Sequence, residues 1–269
     1  MDLNKIKERL NQVSEGKKGY SSEKIDYTTL YWKPRKKGTY QIRFVPSKIN
    51  ADDPFQEVMM HYGFTKFPIL ALTNWGEKDP ITEMAKKLYK SEDTEDWELA
   101  KKIRPKARYF APIIVRGEED KGVRLYEFGA NVLKSLLSIA AKPDYGDFTD
   151  VVEGFDFDLE ATPSENGIGF KHNLIPSRKN SQLSHDATLV EKWLEEQPIL
   201  LDIRKKYTYD ELKEVFQAWV DPENDSDDDD LSSDEKEGED VDNVPFEKPY
   251  KLAKKPSKKD EFDAMFEED

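Results

Sequence analysis

Alternating apolar and polar residues predict several short β-strands along the chain. In residues 38–47, Tyr40, Ile42 and Phe44 occupy alternate positions, as expected for a strand with one buried face. We expect further strands at 57–64, 108–116, 123–128 and 155–161. Pro112 lacks the backbone N–H that an interior strand donates, so we expect the strand at 108–116 to be an edge strand or to carry a bulge.

Helices are predicted between and after these strands. Residues 79–103 fit two helices, with Pro80 at the first position of one and Asp93 or Thr94 capping the other. Further helices are expected after residues 129–131, near 186–196 and near 209–219. The mixture indicates a mixed β/α protein, either a small β-barrel with helical additions or a general α+β sheet.

The two ends of the chain differ from this body. In 1–19, apolar residues at three- and four-residue spacing predict a short amphipathic helix at 2–14, which is marginal alone and would dock on its own body or on a neighbouring copy. Residues 221–269 hold 20 acidic and 7 basic residues, and their composition predicts a disordered acidic tail. The predicted organisation is therefore an arm at 1–19, a core at 20–220 and a tail at 221–269.

Composition excludes several classes of protein. The chain has no cysteine, so neither a disulfide framework nor a thiolate metal site is available. No run of about 18 apolar residues predicts a membrane-spanning helix. The net charge of −14 hides an asymmetry, because residues 1–142 carry 27 basic and 20 acidic residues. The front half is thus basic and suits a polyanionic partner.

Cations and aromatic rings are interleaved closely in this basic half. The clusters lie at 31–37, 61–67, 86–102 and 104–110. Single-stranded nucleic acid requires such a surface, because rings stack on unpaired bases while cations neutralise phosphates. The alternative is that the rings are core and the lysines are ordinary surface. We assign to the core Tyr40, Phe44, Phe128, Phe155, Phe157, Trp193 and Trp219.

Ordered motifs in the core resemble a known family. They are Ile-Arg-Phe-Val-Pro-Ser-Lys at 42–48, Pro-Phe at 54–55, Gly-Phe at 63–64, Tyr-Phe-Ala-Pro-Ile-Ile-Val at 109–115 and Gly-Val-Arg-Leu-Tyr-Glu-Phe-Gly at 122–129. In order and spacing they resemble the helix-destabilising single-stranded DNA-binding protein of T-even-type tailed phages. The resemblance implies an OB-fold-like core that binds single strands without sequence preference, and no catalytic activity.

The resemblance also assigns residues to roles. It places Arg43, Tyr109 and Tyr126 in or near the DNA groove, Trp75, Tyr89 and Trp97 among its rings, and a basic segment before the strand at 108–116. With Lys66 from the 61–67 cluster and a further ring at Phe170, the predicted DNA-binding residues are Arg43, Lys66, Trp75, Tyr89, Trp97, Arg104, Lys106, Arg108, Tyr109, Tyr126 and Phe170.

Both ends acquire roles by the same resemblance. The arm, with Lys5, Lys7 and Arg9, would mediate self-association along DNA. The tail would recruit phage replication, recombination and repair proteins in the cytoplasm of an infected bacterial host. Its last ten residues carry Phe262, Met265 and Phe266, which fit a docking peptide or are simply disordered. A tethered polyanion would also compete with DNA for the groove.

One departure from the family concerns zinc. Better-known members hold the ion with three cysteines and a histidine. Here Asp-Pro-Ile-Thr at 79–82 stands where paired cysteines would be, and Tyr62 where the histidine would be. We therefore expect no metal and no other cofactor, with apolar packing by Ile81, Met84 and Leu88 instead.

Two other functions compete with DNA coating. A metal-dependent nuclease would need paired carboxylates, and Asp156 and Asp158 would share one strand face. An adaptor or chaperone led by the acidic tail would bind basic proteins and no nucleic acid. Tryptophan quenching by oligo-dT distinguishes this second alternative from a single-stranded DNA-binding protein.

Overall fold

A computed structural model describes residues 27–50, 52–164 and 169–220. Within these residues the strands are β1 (Tyr31–Trp32), β2 (Gly38–Phe44), β3 (Gln56–His61), β4 (Ile69–Leu70), β5 (Lys106–Val115), β6 (Arg124–Phe128), β7 (Phe155–Pro163) and β8 (Phe170–Asn180). The helices are α1 (Tyr27–Leu30), α2 (Pro80–Leu88), α3 (Thr94–Ile103), α4 (Ala130–Ala140), α5 (Ala187–Glu195), α6 (Leu200–Ile203) and α7 (Tyr209–Val220). The predicted mixed β/α class is confirmed.

All the strands join one sheet that curls on itself. Its main order is β1-β6-β5-β2-β7-β8, with β3 paired to β5 and β4 to β3, and β1–β6 is the parallel pair. Although β6 and β8 are far apart in this order, a hydrogen bond joins Tyr126 Oη to His172 Nδ1 (2.8 Å). The curl thus brings the start of β8 back towards β6. The finer assignment to an OB-fold stays a prediction.

The position of Pro112 corrects the expectation of an edge strand or a bulge. The first half of β5 pairs with β3 as far as Phe110, and its second half pairs with β2 from Ile113 onward. Pro112 lies at this change of partner, where its carbonyl accepts from Val45 N (3.0 Å). A strand with partners on both sides tolerates a proline there because neither ladder on that side needs its missing N–H.

The largest apolar cluster joins the sheet to α4. Phe44, Phe128 and Phe157 are buried there beside Leu136, and the rings of Phe44 and Phe157 meet edge to face at 5.3 Å. Each such side chain contributes about 1.5–3 kcal/mol by leaving water. The predicted core positions Phe44, Phe128, Phe155 and Phe157 are confirmed here, with Tyr40 partly buried at the margin, and Trp193 and Trp219 are buried in other clusters.

A second apolar cluster holds the helices α2, α3 and α7 together. Asp79 caps α2 by accepting from Thr82 N (2.8 Å), and Asp93 caps α3 by accepting from Glu95 N (2.9 Å). Their apolar faces bury Ile81 and Ile103 against Trp219 of α7. We name α2 and α3 together the helical hairpin.

Several sequence predictions fall outside the described residues. These are the helix at 2–14, the arm residues Lys5, Lys7 and Arg9, the tail at 221–269 and its residues Phe262, Met265 and Phe266. Within the described ranges, no helix combines the length and apolar character that crossing a membrane requires.

Candidate nucleic-acid interface

The start of β5 carries the densest set of half-exposed cations and rings. The helix α3 ends at Ile103, Arg104 follows it exposed to solvent, and β5 begins at Lys106. From Lys106 to Tyr109 the side chains are half-buried, whereas the rest of β5 is buried. We name residues 106–109 together with Tyr62 the basic edge.

Two cations of the basic edge lie against one aromatic ring. Arg108 Nε donates to Tyr62 Oη (3.0 Å), and its guanidinium carbon lies 5.7 Å from the centre of the Tyr62 ring. Lys106 Nζ lies 6.0 Å from the same ring centre. Glu127 Oε1, 3.5 Å from Arg108 Nε, offsets part of this charge. A phosphate approaching these cations would hold its base close to the Tyr62 ring.

Tyr62 is not among the DNA-binding residues predicted from the sequence. The only signal was its place in the 61–67 cluster, and the resemblance set it aside as a substitute for a metal ligand. In the structure it lies one residue after β3, whose Met60 pairs with Lys106 of β5. This pairing brings the ring under the two cations.

Tyr109 ends the basic edge on the core side. Its ring stacks on Phe128 with centres 6.3 Å apart and planes 25° apart. It is half-buried and packs against the main apolar cluster. One ring face is therefore occupied by the protein, and a base would have to approach the exposed remainder.

The loop between β3 and β4 adds an exposed ring to this region. Gly63 starts the loop with φ of 86°, a left-handed conformation that glycine adopts without strain. Lys66 Nζ lies 5.7 Å from the centre of the Phe67 ring, and Phe67 is 64% exposed. Lys66, which the sequence predicts to bind DNA, is therefore exposed. The Phe67 ring beside it was not among the predicted DNA-binding residues.

The helical hairpin presents a pair of exposed rings. Tyr89 follows α2, Trp97 lies on α3, and their ring centres are 6.2 Å apart. They are 37% and 45% exposed, which is high for rings of this size. Lys101 Nζ lies 5.2 Å from the Trp97 ring centre. The hairpin therefore repeats the combination of ring and cation found at the basic edge.

Trp75 and Phe170 each pack, partly buried, against an apolar cluster. Trp75 ends a 3₁₀ turn and is half-buried, with Lys206 Nζ 4.9 Å from its ring centre. Phe170 begins β8 opposite Pro163 and packs, half-buried, against the main apolar cluster. Phe170 thus lies at the margin of the core.

Arg43 is not on an open groove, which corrects its sequence assignment. Its side chain is fully buried, and Nη2 donates to the carbonyl oxygen of Asp150. Burial lowers the pKa of Arg43 to about 10, in spite of the opposing charge of Asp156. The guanidinium stays protonated at neutral pH but has no access to a phosphate. Since both faces of β2 are covered here, the cation holds the loop before β7 in place.

Tyr126 requires the same correction. Its ring is fully buried, with its centre 5.7 Å from Trp32 and 5.1 Å from Phe128. Its hydroxyl is occupied by the hydrogen bond to His172 described above. A base has no exposed face of Tyr126 on which to stack, so the residue belongs to the core.

A buried hydrogen-bonded pair occupies the place where the resemblance located a zinc site. His61 Nε2 and Asp79 Oδ2 are 2.9 Å apart, and both side chains are fully buried. Ile81 and Met84 are buried beside this pair, and Leu88 packs against the same cluster. Within the described residues, no group of three or more histidine or acidic side chains is arranged to hold a metal ion.

The carboxylates considered for nuclease chemistry are held in different environments. Asp156 is buried and pairs with Arg116, whose Nη2 lies 2.9 Å from Asp156 Oδ1. Asp158, two residues further on, is exposed. An acid already neutralised by an arginine is a poor ligand for Mg²⁺, so this pair lacks the arrangement that metal-assisted hydrolysis needs.

Comparison with known proteins gives one positive result. The family model described as "gp32 DNA binding protein like" matches residues 36–218. This range includes the basic edge, the helical hairpin and most of α7. No curated protein matches the chain significantly.

Proposed function

The chain belongs to the gp32-like DNA-binding protein family, and from this membership we propose that it coats single-stranded DNA cooperatively and with little sequence preference. The family is one of DNA-binding proteins and not of enzymes. Single-stranded DNA is accordingly the partner that the family supports.

The observation that carries the proposal is the pair of cations over the Tyr62 ring at the basic edge. Single strands expose phosphates and base faces together, so a ring beneath a cation offers both contacts within one nucleotide. Each base stacked on a ring is worth roughly 1–3 kcal/mol. Stacking and phosphate contacts do not read the hydrogen-bonding groups on base edges, so binding of this kind has little sequence preference.

The helical hairpin and the β3–β4 loop would extend this surface. Trp97 with Lys101, and Phe67 with Lys66, each repeat the ring and cation of the basic edge. The curled sheet that supports them is the element we propose to be OB-fold-like. These exposed rings are not part of the core, so they can stack on a base without any loss of folding stability.

The ends of the chain supply the regulatory part of the proposal. The basic residues Lys5, Lys7 and Arg9 of the arm would contact a neighbouring copy on the strand, which makes coating cooperative. The acidic tail, through Phe262, Met265 and Phe266, would recruit replication, recombination and repair proteins of a phage in its bacterial host. These roles rest on charge, sequence pattern and the resemblance.

The test is a titration of short and long labelled oligo-dT by fluorescence anisotropy at several salt concentrations. The proposal predicts binding whose log–log dependence on salt has a slope of about −0.7 for each phosphate neutralised. Lys106→Gln should weaken binding, and Lys179→Gln, an exposed lysine near the far end of β8, is the matched control. Absence of binding would reject the proposal in favour of a protein adaptor. Binding that does not depend on salt would reject the contacts between these cations and phosphates.

The same titration tests cooperativity. Deleting residues 1–18 should reduce the preference for long over short oligo-dT more than it reduces affinity for the short one. Equal cooperativity with and without these residues would reject the role of the arm while leaving DNA binding intact.

A further inference from the structure

Three consecutive cations between α6 and α7 each lie against an aromatic ring. The Arg204 guanidinium carbon is 5.4 Å from the Tyr31 ring centre, and Lys205 Nζ is 4.3 Å from that of Tyr207. Lys206 Nζ is 4.9 Å from the ring centre of Trp75. We name residues 204–208 the α6–α7 linker. The sequence pattern did not predict a role for this linker, because Tyr31 and Trp75, which contact two of its cations, lie far from it in the chain.

Hydrogen bonds from Arg204 attach the linker to the segment before β4 and to Tyr31. Arg204 Nη1 donates to the Pro68 carbonyl (3.0 Å), and Arg204 Nε donates to Tyr31 Oη (3.2 Å). Pro68 immediately precedes β4, and Ile69 of β4 pairs with His61 of β3. One step further in this register sets Pro68 next to Tyr62. Arg204 is thus hydrogen-bonded to the residue that faces Tyr62 across the continued β3–β4 register.

The rings next to the linker and the ring of the basic edge pack against the same apolar cluster. Tyr31, Tyr62 and Trp75 are each partly buried against the same apolar cluster, which contains Met60 and Phe110. Arg204, Arg108 and Lys206 respectively cover these three rings. The basic edge and the α6–α7 linker are therefore two parts of one rim of rings and cations.

The two lysines of the linker are held by carboxylates that a phosphate can replace. Lys205 Nζ lies 3.0 Å from Glu211 Oε1, and Lys206 Nζ lies 2.5 Å from Glu77 Oε1. All four side chains are between 41% and 61% exposed. Ion pairs this exposed contribute little to stability, so exchanging the carboxylate for a phosphate costs the fold little.

We propose that the α6–α7 linker is a second phosphate-binding segment of the single-stranded DNA interface, continuous with the basic edge. Lys205 and Lys206 bind backbone phosphates, and Glu77 occupies the phosphate position of Lys206 when DNA is absent. Arg204 is a positioning residue, because its hydrogen bonds fix the linker to Pro68 and Tyr31. This inference rests on the proposed function.

The experiment compares the full chain with a Lys205→Gln, Lys206→Gln double variant, using the oligo-dT anisotropy titration. Losing two phosphate contacts should make the salt slope shallower by about 1.4 and weaken binding at 0.1 M salt by roughly 10- to 30-fold. The control double variant, Lys142→Gln with Lys179→Gln, removes the same charge from exposed positions on other elements. It should bind like the unaltered chain, and thermal unfolding should be unchanged in both.

A second variant tests the exchange itself. Glu77→Gln removes the carboxylate that competes for Lys206, so affinity for oligo-dT should rise several-fold at low salt. If the lysine variant keeps the affinity and slope of the control, or if Glu77→Gln binds no more tightly, the role of the linker is overturned while the proposed function stands. If the unaltered chain does not bind oligo-dT, the proposed function fails and the inference with it.

Discussion

At the scale of single residues, the buried His61–Asp79 pair determines how β3 meets the helical hairpin. The Asp79 carboxylate accepts hydrogen bonds from His61 Nε2 and from the backbone N–H groups of Leu72 and Thr82. Burial alone would raise the pKa of Asp79, but these hydrogen bonds and the charge of His61 outweigh it and lower the pKa below 3.8. One carboxylate thus joins a strand, a turn and a helix.

This pair predicts a stability difference that depends on pH. Asp79→Asn should lower the free energy of unfolding at pH 7 by about 3 kcal/mol, because one partner of a buried pair loses its charge. A carboxyl group whose pKa is lower in the folded chain stabilises it fully above the ordinary value of 3.8, and this stabilisation is lost as pH falls through the lower pKa of the folded chain. Urea unfolding of both proteins at pH 7 and below pH 3.8 measures the difference. An equal difference at both pH values would contradict this role of Asp79.

The burial of Arg43 could not be predicted from the sequence pattern. It lies at an alternate position of a strand, where a cation predicts an exposed face. In the structure, four consecutive residues from Ile42 to Val45 are buried, because β2 has a covering layer on both sides. The alternation correctly predicts the strand, but it does not reveal the second layer, to which the Asp150 carbonyl, Leu183 and Trp193 of α5 contribute.

At the scale of elements, the exposed ring of Trp97 on the helical hairpin contrasts with the buried ring of Trp219 on α7. Trp97 is 45% exposed, whereas Trp219 of α7 is 8% exposed and stacks on Phe216. Trp97→Ala should weaken oligo-dT binding by about 1–3 kcal/mol without changing the thermal midpoint. Trp219→Ala should destabilise the fold by about 3–5 kcal/mol.

The two tryptophan variants act as controls for each other. Binding is measured by anisotropy at a temperature where both are folded, and stability by thermal unfolding. Trp97→Ala that binds oligo-dT normally would remove the hairpin from the interface. Trp97→Ala that unfolds early would place this ring in the core instead.

The predictability of the elements depends on their pattern and length. The predicted strands at 38–47 and 57–64 and both helices of the hairpin appear within a few residues of their expected ends. The strand β8 was missed, because its sequence has many polar residues and includes Pro176. The two-residue strands β1 and β4 carry no pattern of their own and exist only through their partners.

At the scale of the whole molecule, charge is divided along the chain in a way that bears on DNA binding. Residues 1–142 carry 27 basic and 20 acidic residues, whereas 221–269 carry 20 acidic and 7 basic ones. A tethered polyanion competes with DNA at an effective concentration on the order of millimolar. Deleting 221–269 should therefore raise affinity for oligo-dT, most strongly at low salt where screening is weak.

The tail deletion is measured by the same anisotropy titration at low and high salt. Affinity that is unchanged at low salt would exclude competition by the tail. A change of equal size at both salt concentrations would also contradict an electrostatic mechanism, since screening should reduce the effect.

The interface as a whole is only partly visible in the sequence. The basic segment Arg104, Lys106 and Arg108 stands out because its residues are adjacent in the chain. The resemblance selected Trp75, but not its grouping with Tyr31 and the α6–α7 linker, because folding alone brings these segments together. The ordered motifs nevertheless identified the family, and the match over 36–218 confirms it.

Photocrosslinking identifies the DNA-contacting surface itself. The full chain is irradiated with an oligo-dT in which bromodeoxyuridine replaces thymidine, and the crosslinked residues are located by mass spectrometry. Our account predicts crosslinks at Tyr62, Trp75, Trp97 and Tyr109, all lost at high salt. Crosslinks confined to β7, β8 and α5, with none on these four rings, would contradict it.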